Sequence, residues 1–248
     1  SMIKQWIWMD IKKFIYPHIK AMASKLGINI ISSEVENYFN VLEFIIPCYL
    51  ASNAPFSFIQ IGANNGIRWD PLHELILKHH LVGLLVEPLP DMYEQLKENY
   101  SSESQLSFEN AAIAAENCTR TLFRIKPNAD VPDWAHGMAS FKKDHLSEFK
   151  RFIQKVEVPT LTINALLRKH KINHVTLLQI DTEGYDFEII KMFFKEPMFP
   201  EIINYENGNL SYIDDLDCRR LLKNNGYRFI DIGDDTLAIR GGSPIHDI

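Results

Sequence analysis

The sequence predicts a doubly wound α/β domain that ends in an antiparallel hairpin and carries a helical extension at its N-terminus. Three observations predict it. From Phe56 onward, short apolar runs alternate with segments of helical period, the pattern of parallel strands joined by right-handed crossover helices. The run Phe58–Ile61 breaks into a turn with two glycines, Gly62 and Gly66, and the next apolar run, Leu81–Val86, closes on Glu87. In open α/β sheets ligands sit at these carboxyl ends of strands. Near the C-terminus, Tyr227–Ile232 and Thr236–Arg240 flank Gly233-Asp234-Asp235, a hairpin signal.

Taken in order, residues 3–54 read as helical. Trp6, Ile7, Phe14, Ile15 and Ile19 mix with Lys4, Lys12, Lys13 and Lys20. This suits a helix that packs on the domain or on a second subunit, or one that lies on a membrane surface. Val35–Leu50 forms a second helix, because Val35, Tyr38, Phe39, Leu42, Ile45 and Ile46 recur at helical spacing. Asn53-Ala54-Pro55 is a linker, which divides the chain into an extension, 1–54, and a domain, 55–248. Strand 58–61 leads to helix 71–79, with Asp70 at the N-cap and Pro71 at the first helical position. Strand 82–86 leads to a helix over 90–100, and 106–111 is a third strand. Thr121–Ile125 is an added strand, 127–140 a loop with Pro127, Pro132 and Gly137, and 143–154 a polar helix. Val156–Leu161 is a strand, and Thr162 caps a helix reaching His170. Val175–Ile180 is a buried strand that ends in Asp181-Thr182-Glu183-Gly184, before a helix over 185–194. Glu201–Tyr205 is a strand closed by Glu206, and 215–224 a helix with Gly226 beyond its end.

Composition narrows the function classes. The chain has 248 residues, 46% hydrophobic, enough for one large domain with a full core. Ser1 ahead of Met2 reads as a remnant of tag removal. No run approaches a membrane-spanning length, and no secretory leader is expected. Three widely spaced cysteines, Cys48, Cys118 and Cys218, form no C-x-x-C pair; they argue against zinc and disulfide frameworks and for a reducing compartment, the cytoplasm. A net charge of −6 argues against a broad nucleic-acid footprint and for a neutral, cationic or hydroxyl-presenting substrate.

The glycine turn specifies the ligand further. A dinucleotide fingerprint needs a second glycine where its backbone meets a pyrophosphate; here that position is Asn64. Gly62-Ala63-Asn64-Asn65-Gly66 suits a nucleoside with an amino-acid tail, S-adenosylmethionine, with Glu87 accepting from the ribose hydroxyls. Two βα halves and a terminal hairpin outline a class I, Rossmann-like methyltransferase.

The motifs Ile61-Gly62-Ala63-Asn64-Asn65-Gly66, Val86-Glu87-Pro88, Asn110-Ala111-Ala112-Ile113, Leu178–Gly184 and Tyr205-Glu206 occur in the order seen in the FkbM-type methyltransferases. Gly137-Met138-Ala139-Ser140 and Val158-Pro159-Thr160-Leu161 are similar to further segments of that family, and the resemblance covers roughly 56–240. It implies S-adenosylmethionine-dependent methyl transfer, often to hydroxyls of saccharides or other small molecules. One departure stands out: the family usually places an acid, which helps orient the cofactor amino group, where this chain has Gln60.

Methyl transfer from a sulfonium is an in-line displacement that profits from alignment and from a base. Gly62, Ala63 and Asn64, with Gln60, Gly66 and Pro88, are expected to shape the cofactor site; Asn110 and Ala111 should border the adenine. Asp181, ending the central strand, is the first choice for the catalytic acid and also lies beside the cofactor. Glu183 either joins it in the cleft or caps the following helix, and Glu206 either joins it or is a solvated strand end. Three carboxylates can alternatively hold a divalent cation, although no dedicated metal ligands are assigned. His136 and Ser140 are candidates for the substrate side, His136 as a base or as a solvated loop residue. A catalytically inactive binding protein, favoured by Gln60, and an NAD-dependent oxidoreductase are the competing readings. A homo-oligomer assembled through the N-terminal helices is a further expectation.

Overall fold

Seven strands make the central sheet of the computed structural model, which describes residues 40–245. β1 (Phe58–Ile61), β2 (Gly83–Val86) and β3 (Leu106–Glu109) run parallel and step outward on one side. β8 (Leu177–Ile180) returns beside β1, followed outward by β9 (Ile202–Glu206). β11 (Asp235–Arg240) inserts between β9 and the edge strand β10 (Tyr227–Ile232), antiparallel to both. The order β10-β11-β9-β8-β1-β2-β3 reverses direction between β1 and β8. That reversal opens a crevice at the carboxyl ends of those two strands. This is the class I methyltransferase arrangement, with the expected antiparallel hairpin.

Both faces of the sheet are covered, so its central strands are apolar almost throughout. Ile59 and Ile61 pack with α4 (Ile163–Lys169), α5 (Asp186–Phe193) and α6 (Tyr212–Asn224) through Leu166, Ile190, Phe193 and Leu222. Phe58 points the other way, toward α1 (Leu42–Ala51) and α2 (His73–His79), whose Leu42, Ile46, Tyr49, Leu75 and Ile76 are buried. The face that holds Phe58 also holds Gln60, aligned with Gln179 of β8, which is in turn aligned with Asn204 of β9. Asn204 Nδ2 donates to Gln179 Oε1 at 2.9 Å. Three adjacent strands thus carry a row of buried amides into the sheet.

A second, four-stranded sheet, β4-β7-β5-β6, is inserted between β3 and α4. It comprises β4 (Ala112–Ile113), β5 (Thr119–Ile125), β6 (Ala139–Ser140) and β7 (Ile153–Leu161). The third strand of the main sheet accordingly ends at Glu109 rather than Ala111. The Asn110 side chain turns the chain there by donating to the carbonyls of Glu87 and Pro88 at 2.8 and 3.2 Å. Residues 127–140 are more ordered than a loop, with a 3-10 turn at Asp133–Gly137 and then β6. The expected polar helix over 143–154 is a 3-10 segment, Lys143–Phe152, broken at Leu146 and Phe149. α2 begins at His73, two residues later than expected, because Asp70 Oδ1 takes the Leu72 N–H at 2.7 Å and closes a turn first. α3 (Pro90–Asn99) opens on its proline, and Ser211 caps α6. The amphipathic reading of residues 3–34, and the start of the Val35–Leu50 helix, lie outside the described residues. No described helix is long and apolar enough to cross a membrane.

Candidate active site

The turn after β1 can approach β8 only because residue 62 is glycine. Its φ is +87°, and a Cβ there would run into the backbone carbonyl of Asp181. The two strand ends therefore meet, and above them opens a cavity of about 460 Å³. Gln60, Gly62, Ala63, Asn64, Glu87, Pro88 and Ala111 line it from the β1–β3 side. Asp181, Glu183 and Glu206 line it from the β8–β9 side. The structure brings together most of the residues singled out in the sequence. Gly66 and Asn110 stand behind the wall. Gly66 is covered by Tyr100, whose hydroxyl donates to its carbonyl at 2.7 Å. Asn110 braces the Glu87-Pro88 backbone.

Glu87 is 4% exposed and spans two loops. Its Oε2 accepts the N–H of Asn64, and its Oε1 the N–H of Leu89, both at 2.8 Å. The carboxylate thus fixes the glycine turn to the β2 end. Burial pushes its pKa up to about 7, against the pull of those two bonds.

On the other side Asp181 is open to the cavity, with carboxylates around it. Enclosure by the cavity walls and the charges of Glu183, Asp186 and Asp235 hold its pKa above the usual carboxylate range. Glu183 stands at φ +52°, left-handed backbone that a non-glycine residue seldom adopts. Its carbonyl is held by His145 Nδ1 at 2.8 Å and by the Ser140 hydroxyl at 3.1 Å. Asn209 Nδ2 bridges Glu183 Oε2 at 2.8 Å and both Glu206 oxygens at 2.9 and 3.0 Å. Burial and the neighbouring acids push Glu183 up to about 7 and Glu206 to about 8.

That amide bridge bears on the divalent-cation reading. Glu183 and Glu206 converge on Asn209, and among the described residues no group of three His, Cys, Asp or Glu is placed to hold an ion. His136 stands apart from Asp181, in a smaller adjoining cavity with Arg68 and Arg124, and its Nδ1 is buried without a hydrogen-bond partner among the described residues. Ser140, 3% exposed, also lines the main cavity, with its hydroxyl committed to the Glu183 carbonyl.

Several contributors are silent in the sequence. His145 lies in the 3-10 segment and Asn209 in the turn after β9, neither in a motif that marks this site. Trp69 and Trp134, 73% and 48% exposed, stand at the cavity wall with no periodicity to mark them. Asp70 reads as a helix cap, yet it lines the cavity and accepts from Gln60 Nε2 at 3.1 Å. Burial pushes Asp70 up to about 6.

The raised acids set a pH dependence. Glu87, Glu183, Glu206, Asp70 and Asp186 have folded-state pKa values of about 6 to 8, against about 4 when unfolded. A raised carboxyl contributes stability below its unfolded pKa and loses it as pH rises through the folded value. Glu109 and Asp231 shift oppositely: burial pushes each up, but bonds from Lys169 and His170, and from Arg219, outweigh it. Their effect is complete below this window. The ligand-free protein is therefore expected to melt at progressively lower temperature from about pH 5 to pH 8. Melting scans across that range check this, and a rise in melting temperature would contradict it.

Comparison with solved structures finds an FkbM methyltransferase from Methylobacillus flagellatus at 15% identity, covering 83% of this chain and 48% of that one, TM-score 0.48. This chain thus spans about half the length of that relative. A methyltransferase from Geobacter sulfurreducens matches at 8% identity over 95% of this chain and 96% of its own, TM-score 0.41. An RNA methyltransferase from Salinibacter ruber, solved with S-adenosyl-L-homocysteine, matches at 8% identity over 86% and 95%, TM-score 0.38. No curated protein matches. The family model of the methyltransferase FkbM domain matches residues 60–229, most of the chain and most of the residues that wall the cavity, and the chain belongs to the FkbM methyltransferase family.

Proposed function

We propose that this protein transfers the methyl group of S-adenosylmethionine to a hydroxyl of a saccharide or other small molecule. The observation that carries the cofactor assignment is charge. Six acids, Asp70, Glu87, Asp181, Glu183, Glu206 and Asp234, line the cavity against one base, Arg68. Such a wall, whose raised acids ionise further as a cation arrives, attracts a cationic ligand and repels the diphosphate of NAD. A sulfonium with an ammonium-bearing tail fits it, and Asn64, where a dinucleotide site needs glycine, agrees. The exposed Trp69 and Trp134 offer flat apolar faces for an acceptor at the cavity wall.

When bound, the cofactor supplies an electrophilic methyl whose bond to sulfur breaks as the acceptor oxygen bonds to carbon. Glu87 shapes the turn beneath the nucleoside and offers its remaining lone pairs to the ribose. Asp181 orients the acceptor hydroxyl and takes its proton, and its raised pKa makes it a stronger base than an ordinary carboxylate. Glu183 and Glu206, joined through Asn209, hold the far wall. Ser140 keeps the Glu183 turn in place and, with the 3-10 turn that carries His136, borders the acceptor side. We place the catalytic domain at 55–248, buttressed by α1, with 1–54 as an extension through which copies associate. The site of action is the cytoplasm, without nucleic acid as partner.

The test is a melting shift. S-adenosylhomocysteine at a hundred times its dissociation constant is expected to stabilise by about 2.7 kcal/mol, while NAD leaves the curve unchanged. No shift with millimolar S-adenosylhomocysteine, or a shift with NAD alone, removes the assignment.

A further inference from the structure

The six acids of the cavity are not equivalent. Glu87 spends an oxygen on each of two backbone N–H groups. Glu183 and Glu206 share the amide of Asn209. Asp181 faces the place where the methyl must meet its acceptor. On the β1 side, Asp70 remains. Gln60 precedes Gly62 by two residues and Asp70 follows Gly66 by four, and the glycine turn folds them onto one wall. Asp70 Oδ2 accepts from Gln60 Nε2 at 3.1 Å, and Oδ1 accepts from the Leu72 N–H at 2.7 Å. The His73 N–H also bonds the carboxylate, and all three of these donors are neutral. The carboxylate is therefore held in place from both ends while one of its four acceptor positions stays open.

The Gln60 amide carries a second signal. Its nitrogen must face the Asp70 carboxylate, because the reverse orientation would set oxygen against oxygen. Its Oε1 is then buried without a partner among the described residues. A buried acceptor without a donor is uncommon and points to a group that arrives from outside the chain. Gln60 itself is 4% exposed and lines the cavity. A fixed carboxylate beside an unsatisfied amide oxygen, at the foot of a glycine turn, is a seat for a cation with several N–H donors.

We propose that Asp70, positioned by Gln60, receives the ammonium of the cofactor's amino-acid tail. The proposal rests on the cofactor reading above. With the nucleoside held near Glu87, the tail passes over the Gly62 turn, and its ammonium needs acceptors there because an unpaired charge in a walled cavity is costly. Asp70 supplies the charge that a glutamine at the end of β1 cannot, and Gln60 serves as the strut that keeps that charge aimed at the turn.

The test separates tail from nucleoside. Calorimetric titration compares S-adenosylhomocysteine with 5′-methylthioadenosine, which lacks the amino-acid tail, on the wild-type protein and on Asp70→Asn. The asparagine keeps an oxygen for the Leu72 N–H and removes the charge. We expect S-adenosylhomocysteine affinity to fall at least about tenfold, the size of one charge-assisted hydrogen bond, with 5′-methylthioadenosine affinity unchanged. Unchanged nucleoside binding also shows that the variant is folded. Equal losses for both ligands, or no loss for either, would overturn the proposal. Wild-type protein that binds the two ligands equally well would leave the cofactor reading standing and the tail without a seat. Wild-type protein that binds neither would remove the cofactor reading and the proposal together.

Discussion

Asp181→Asn is expected to lower methyl transfer at least about a hundredfold, the low end for loss of a positioned base, with cofactor affinity near normal. Asn keeps the shape and can still meet a hydroxyl, but it cannot take a proton. Its position makes the expectation specific. Asp181 ends β8 at the reversal of strand order, and its backbone N–H continues the ladder to Ile61 at 3.0 Å, so the backbone there is fixed. The side chain opens into the cavity shared with Gly62 and Glu87. Cofactor affinity should survive because the other carboxylates keep the cavity's charge. The measurement is methyl transfer to a panel of saccharides, with ligand titration in parallel. Turnover within a few-fold of wild type would move proton removal elsewhere. Turnover lost in step with cofactor binding would make Asp181 a binding residue. If added Mg²⁺ or EDTA changed wild-type turnover, the contribution of Asp181 would instead run through an ion.

The features that follow short-range rules are legible in the sequence. Phe58–Ile61 and Val175–Ile180 are apolar because both faces of their strands are buried, and Gly62 and Glu87 mark the strand ends by residue type alone. Where side chains reach across the fold, the sequence is less informative. The third strand was expected to run to Ala111, but Asn110 spends its amide on the Glu87 and Pro88 carbonyls and sends the chain into the inserted sheet. The polar helix expected over 143–154 is broken 3-10 structure, since β5, β6 and β7 claim its flanks. Asp70 followed by Pro71 reads as a helix start. The helix instead has Leu72 at its N-cap with no side-chain bond, Asp70 closes the turn before it, and the cavity-facing role of the same carboxylate depends on Gln60, ten residues away and invisible to any local pattern. Asn209 could not have been found at all, because its meaning lies in two glutamates from different strand ends.

Glu87→Ala is expected to damage the protein twice. The sequence alone predicts a ribose acceptor whose loss weakens ligand binding and spares the fold. The structure adds a load on the same carboxylate: the N–H groups of Asn64 and Leu89 both end on it, and among the described residues no backbone carbonyl also takes them. Truncation leaves two largely enclosed donors without acceptors, at about 1–3 kcal/mol each, a large part of the stability of an ordinary domain. It also frees Asn64, at φ +48°, from the contact that holds the glycine turn against β2. The nucleoside then meets a turn that must be ordered on binding and lacks its charged acceptor. The affinity loss should therefore exceed the about tenfold of one charge-assisted bond. Glu87→Gln divides the two effects. It removes the charge and keeps one oxygen for one of the two N–H groups, so it should recover part of the stability and little of the ribose binding. Urea unfolding and S-adenosylhomocysteine titration on both variants measure this. A Glu87→Ala protein that unfolds at the wild-type midpoint would show that water replaces the carboxylate at both amides. Wild-type ligand affinity in that variant would show that the nucleoside lies away from the β2 end.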